Sequence, residues 1–139
     1  MSFISKAEFS GSIATTIINT LTSNNDEAVS YWVDNSVEFM KSYLRTNYSA
    51  DTFFEQTGNS RSKLLMSYCK DLAIYNLYSM SYIFRKIPTI REKRYADAIT
   101  WLESVQSEKI NPLLYGTGTT GYTHLVTYGG NDAQENYMT

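Results

Sequence analysis

Hydrophobic positions recur at steps of three and four along two stretches between Ser60 and Ile110, and that spacing predicts two long helices folded back on each other. In the first, Leu65, Tyr68, Cys69, Leu72, Ala73, Asn76 and Leu77 share one face, with Asn76 the single polar break. In the second, Tyr95, Ala98, Ile99, Leu102 and Val105 repeat the pattern, Trp101 stands on the shoulder of the stripe, and Arg91, Lys93, Asp97 and Glu103 lie mostly elsewhere. Pro88 stops the incoming segment and Thr89-Ile90-Arg91-Glu92 has the form of a capping box, which starts the second helix near Ile90. A first helix from about Arg61 to Met80 would be about 30 Å long, and the Tyr82 to Pro88 connector is short enough to make the pair antiparallel neighbours. The centre of the fold is therefore expected to be an αα-hairpin. Tyr68, Leu72, Leu77, Ile99, Trp101 and Leu102 should meet in its core.

The upstream pattern is also helical. Ser5-Lys6-Ala7-Glu8 is a second capping-box string that opens a short helix ended by Gly11, and Ile13, Ile17, Ile18 and Leu21 fit another with Ser12 as its cap. Asn24 and Asn25 mark a turn. From Asp26 to about Thr46, Val29, Trp32, Val33, Val37, Met40 and Leu44 form one stripe, leaving Tyr31, Asp34, Glu38 and Arg45 outside; Asp26 and Glu27 suit its first turn and Lys41 and Arg45 its last. Residues 47–59 are rich in Asn, Ser, Thr, Asp and Gly and read as a loop around Phe53 and Phe54. Adjacent Phe residues are costly to leave in water, so the two either plug the end of the bundle or protrude as a contact for a partner.

After Ile110, Asn111-Pro112 ends the regular pattern and Gly116 to Gly121 is a Gly/Thr spacer. Beyond it, Tyr122 to Tyr128 alternates and is rich in β-formers, with Leu125, Val126 and His124 inside the run. A lone strand has no partner within the chain. Two readings stay open: a disordered tail, or a segment that pairs with another subunit or another protein. The expected architecture is thus all-α, a small helical bundle over residues 1–110 with an extended C-terminal tail, 111–139, carrying one short strand.

Composition adds limits more than chemistry. The 139 residues suit one domain, and 42% hydrophobic content suffices for a core. Twelve Tyr favour a binder slightly, although Tyr also covers core edges on amphipathic helices. The net charge of -2 hides segregation: residues 1–59 carry three basic and seven acidic side chains, 60–110 nine and five, and 111–139 none and two. Arg85, Lys86, Arg91, Lys93 and Arg94 lie close together with only Glu92 among them, a cluster that suits either an acidic protein surface or phosphate. One Cys rules out an internal disulfide and fits a reducing cytosol, and neither a membrane span nor a signal peptide is evident. A nucleophile–base pair would need a His near Ser or Cys, yet the only His lies on the presumed tail; metal-ligand strings and phosphate-binding Gly loops are also missing. No enzyme, cofactor or metal is expected. Asp71, set beside the core positions Leu72 and Ala73, is expected to pair with Arg91 or Arg94 across the hairpin.

The strings Asp71-Leu72-Ala73-Ile74-Tyr75-Asn76-Leu77-Tyr78 and Ile90-Arg91-Glu92-Lys93-Arg94-Tyr95-Ala96-Asp97-Ala98-Ile99-Thr100-Trp101-Leu102-Glu103 resemble the signature helices of a tailed-phage neck family. These are small helical head–tail connectors of Mu-like and lambda-like phages and prophages, also called adaptor or head-completion proteins. The likeness is close over some forty residues and loose over Met1 to Ile110; it departs at residues 47–59, where the family connection is often shorter and richer in Pro. It implies a structural virion protein of the neck, assembled in the host cytoplasm as a homo-oligomeric ring, typically a dodecamer. Such a ring binds the portal protein and a tail or tail-terminator protein, and DNA passes through it without sequence-specific recognition. Candidate interface residues are Phe53, Phe54, Arg85, Lys86, Tyr122, Leu125, Val126 and Tyr128, with Asp71, Arg91, Arg94 and Trp101 in structural roles. The alternative is a nucleic-acid-binding regulator that uses the Arg85 to Arg94 cluster.

Overall fold

In the computed structural model, which describes residues 3–81 and 86–108, helices account for nearly all regular structure and no strand occurs among the described residues. A 3-10 turn, Lys6–Gly11, leads into α1 (Thr15–Thr22), α2 (Asp26–Leu44), α3 (Ala50–Glu55), a 3-10 turn Gly58–Ser60, α4 (Lys63–Met80) and α5 (Thr89–Gln106). The long helices α2, α4 and α5 pack on one another, and α1, α3 and the first 3-10 turn close the sides of α2.

The α4–α5 pair is the predicted hairpin, and its register can be read from two ring stacks. Tyr68 stacks on Trp101 with centroids 4.9 Å apart, and Tyr75 stacks on Tyr95 at 4.0 Å. Going seven residues forward on α4 goes six backward on α5, so the helices are antiparallel. Leu72, Leu77, Trp101 and Leu102 are buried between them, with Tyr68 and Ile99 packed half-buried at the edge, as the two stripes predict. The stripe's polar break resolves locally: Asn76 Nδ2 donates to Leu72 O on its own helix at 3.0 Å. Cys69 is fully buried against α2, its thiol 4.0 Å from Val33 O, and burial pushes its pKa up.

Helix ends depart from the sequence reading in instructive ways. Pro88, extended at φ -57° and ψ 139°, is the residue before α5; its carbonyl accepts from the N–H groups of Arg91 and Glu92, and Thr89 is the first helical residue rather than a cap. Ser12 does not cap α1 either, because its N–H closes the preceding turn on Phe9 O at 2.8 Å and Ala14 takes the N-cap position. The first α4 residue is Lys63, capped by Ser62 Oγ, which accepts from Leu65 N at 3.2 Å. Arg61, predicted to open that helix, is extended because its guanidinium is drawn elsewhere. α2 stops at Leu44, not Thr46, and α5 at Gln106, short of Ile110; Asn47 Nδ2 donating to Gln106 O at 2.8 Å ties the two C-terminal ends together.

The presumed loop 47–59 is a further correction. It folds into α3, a single turn and a half that turns Phe53 and Phe54 inward, with Tyr48 edge-on to Phe53 and Phe3 edge-on to Phe54. Two apolar rings outweigh the weak helix propensity of a polar segment once they can leave water together. Gly58 then takes φ +56°, a left-handed turn that a Cβ would strain.

The N-terminal segment is strapped to the bundle by three cations. Lys6 Nζ bridges Asp26 Oδ1 and Asn19 Oδ1, both at 2.6 Å. Arg61 grips both carboxylate oxygens of Glu8 and also donates to Phe3 O and Gly58 O, each at 2.8 Å. Arg91 Nη2 donates to Ser12 O at 2.8 Å. Beneath the strap, Phe3, Ile4 and Phe9 are buried. The Arg61 hydrogen bonds hold the Glu8 carboxyl down, at about 2, well below the usual carboxylate range. Its contribution to stability is therefore present above the ordinary Glu pKa and lost as pH falls from about 4.5 towards 2. Glu8→Gln should cost about 1–2 kcal/mol at pH 7, the full shift being reduced by solvent at this partly exposed pair. Urea unfolding at pH 7 and pH 2.5 checks it: the gap between wild type and variant should shrink at the acid end.

Candidate functional site

The described residues present charged surfaces and two open grooves, one of them, about 350 Å³, lined by Glu8, Arg61, Lys63, Ser67 and Lys70. No group of three or more His, Cys, Asp or Glu that could hold a metal occurs among the described residues, and no described helix is long and apolar enough to cross a membrane. Of the residues singled out from sequence, Arg85, Tyr122, Leu125, Val126 and Tyr128 lie outside the described residues, as do the tail strand and the Ile110 boundary. Phe53 and Phe54 belong to the core, so of the two sequence readings it is the plug that the structure shows, and neither ring protrudes. Lys86 is exposed. Trp101 is buried.

Asp71 is the clearest miss. It is buried on α4 with 8% of its surface exposed, yet among the described residues no ion pair or hydrogen bond reaches its carboxylate. Arg91 is engaged by Ser12 O instead, and Arg94 acts only through space. Burial therefore dominates and pushes the Asp71 carboxyl up to about 6, with Arg94 and then Arg91 pulling it partly back and Asp97 adding repulsion. The spacing of the two helices correctly put these groups near one another. It could not show that the guanidinium had a better-placed backbone acceptor.

Two surface regions stand out at the level of charge and exposed carbon. The first joins the C-terminal end of α4 and the N-terminal end of α5, where Met80 is 61% and Ile90 51% exposed; the ring-stack register sets the two residues at one level of the helix pair. Lys86, Lys93 and Arg94 lie within four residues of Ile90 in the chain and are exposed, and Lys93 is paired with Asp97 at 2.8 Å. The second is the outer face of α2. Glu27, Tyr31, Asp34 and Glu38 follow at steps of four, three and four and form one exposed stripe, Tyr31 being 60% exposed. Beside it, between α2 and α3, lies a shallow groove of about 360 Å³ lined by Phe3, Asp34, Val37, Glu38, Lys41 and Phe54. Lys41 reaches across its side to Asp51 at 3.0 Å and Glu38 at 3.5 Å, and this pairing draws the Asp51 carboxyl below its ordinary range. The outward placement of Tyr31, Asp34 and Glu38 was legible from the α2 stripe. The groove is not legible there, because it needs α3, whose residues carry no helical stripe.

Fold and surfaces together define a small all-α bundle protein. A family model described as Bacteriophage Mu, Gp36 matches residues 4–121, from the N-terminal strap through α5 and beyond. The chain belongs to that family and is a phage protein. Neither curated proteins nor solved structures gave a match.

Proposed function

We propose that this protein is a structural component of the phage neck, forming a ring that joins portal and capsid to the tail and lets DNA pass. The observation that carries this reading is membership of the Mu Gp36 family across nearly all of the described fold. The strings that resemble neck connectors fall on α4 and α5, where Leu72, Ala73, Leu77, Ala98, Trp101 and Leu102 form the centre of the bundle. What that likeness tracks is therefore the hairpin scaffold, and the exposed charges and apolar side chains that the scaffold carries are compatible with the role. The partners are further copies of the chain in a ring, twelve by the symmetry of the portal, together with the portal and a tail or tail-terminator protein. The protein acts in the virion neck after assembly in the host cytoplasm.

Mixing the purified protein with portal protein and imaging by negative-stain electron microscopy tests the role. Rings of matching symmetry seated on the portal are expected. Portal particles left bare, with the protein sedimenting alone, would overturn it, and salt-sensitive binding to duplex DNA without rings would favour the regulator instead.

A further inference from the structure

We propose that Glu27, Tyr31 and Asp34, the acidic stripe of α2 in one copy, seat in the basic groove along the first half of α4 in the next copy, with the Tyr31 ring on Met66 between Lys63 and Lys70. The inference rests on the ring reading and names a contact that builds the ring. The groove, about 350 Å³, follows one face of α4, where Lys63, Met66, Ser67 and Lys70 recur at helical steps, and Asn59 also lines it. Its other charged members, Glu8 and Arg61, neutralise each other. Ion pairs among the described residues take up Lys6, Lys41, Arg45, Arg61 and Lys93, and none of them reaches Lys63 or Lys70. The groove thus keeps two uncompensated cations.

Spacing and charge select the occupant. Glu27, Tyr31 and Asp34 follow at steps of four and three, as do Lys63, Ser67 and Lys70, so the two like charges of each set stand about 10 Å apart along their helix. Glu27 and Asp34 are exposed and make no ion pair among the described residues. Between them Tyr31 is 60% exposed, its ring edge-on to Trp32 at 5.0 Å. Such a ring offers its apolar face to Met66 and its hydroxyl to Ser67 or Asn59, and buried Tyr anchors carry much of the energy at interfaces. Lys63 is the first residue of α4, in a turn without an acidic side chain, where the helix dipole disfavours a cation; its own helix gives no reason for it to be there. Residues 111–139 also hold two carboxylates, Asp132 and Glu135, but α2 presents its three groups from one face of a formed helix, so docking costs little conformational entropy. No residue of α2 lines the groove of its own chain, so stripe and groove are different patches of one molecule. A patch that fits a different patch on the next copy makes a head-to-tail contact, which closes into a ring when the rotation allows. Complementary charge sets register and partner choice there more than raw affinity.

Zero-length cross-linking of the full chain tests the contact. An equal mixture of isotope-labelled and unlabelled protein, treated with a carbodiimide that joins touching carboxylates and amines and read by mass spectrometry, should show links between chains from Glu27 or Asp34 to Lys63 or Lys70. Tyr31→Ala should weaken those links and self-association by about tenfold. Lys63→Glu with Lys70→Glu, or Glu27→Lys with Asp34→Lys, should each abolish self-association in sedimentation. Mixing the two reversed proteins should restore it, since each stripe then meets a groove of opposite charge. The Tyr31, Glu27 and Asp34 changes alter exposed side chains only, so they test the contact without touching the core. No links between chains at these residues, or reversed proteins that associate like wild type, would overturn the contact. Links from Lys63 and Lys70 chiefly to Asp132 or Glu135 would give the groove to the C-terminal residues and overturn it too. Rings that still form on portal with either reversed protein would defeat this contact and leave the neck role standing. Links at these residues and rescue by mixing, in a protein that ignores portal, would sustain the contact and defeat the neck role.

Discussion

Trp101→Ala lowers the stability of the folded chain by about 3–5 kcal/mol, the usual cost of removing a large buried aromatic side chain and leaving a cavity. The indole is 7% exposed, stacks on Tyr68 at an interplanar angle of 29°, and stands on the same helix as the buried Ala98, Leu102 and Val105. Nothing small can fill that space without moving the hairpin, since α4 and α5 are also held by the Tyr75–Tyr95 stack two turns away. Urea unfolding should show a markedly lower midpoint with an unchanged slope. A midpoint equal to the wild type would mean that the ring pair carries no packing energy.

Periodicity revealed that hairpin because a helix that buries one face writes its spacing into the sequence, and α2, α4 and α5 each bury one. The shorter elements were harder. Ala50–Glu55 has two apolar rings and four residues with no stripe to read, so its helix is imposed by the pocket that takes Phe53 and Phe54. Thr89 and Ser12 carried cap chemistry in the right letters, but Pro88 and Ala14 hold the cap positions because the chain arrives from directions the sequence does not encode. Glu8 and Arg61, 53 residues apart, left no local signal at all. The α2 stripe supplied the outward charges of the candidate surface, whereas the groove beside it depended on α3 and Phe3, two long-range contributions.

Asp71→Asn stabilises the protein at neutral pH, the reverse of what a salt bridge would give. The carboxyl titrates at about 6 in the fold against 3.8 as an ordinary Asp, so the folded state prefers the proton. Below the ordinary value both states are protonated and Asp71 costs nothing. Between about 4 and 6 the unfolded chain ionises first and stability falls; above about 6 the buried charge is present in full, at up to about 3 kcal/mol. Asn has nearly the shape of the protonated acid and never ionises. The variant should match the wild type at pH 3.5 and exceed it by about 1–3 kcal/mol at pH 7.5. Denaturant midpoints measured across that range check the sign, and a variant less stable than wild type at pH 7.5 would show the carboxylate to be usefully paired.

The strap over the bundle has a consequence for how the chain is made. Lys6 finds Asn19 and Asp26 within 20 residues, but the other two fastenings of the segment come late: Arg61 follows Glu8 by 53 residues and Arg91 follows Ser12 by 79. At about 5–20 residues per second, the wait for Arg91 is roughly 4–16 s, far longer than a helix needs to form. During synthesis the Lys6–Gly11 turn can meet α1 and α2 first, and its fastening is completed only when α5 has begun to emerge.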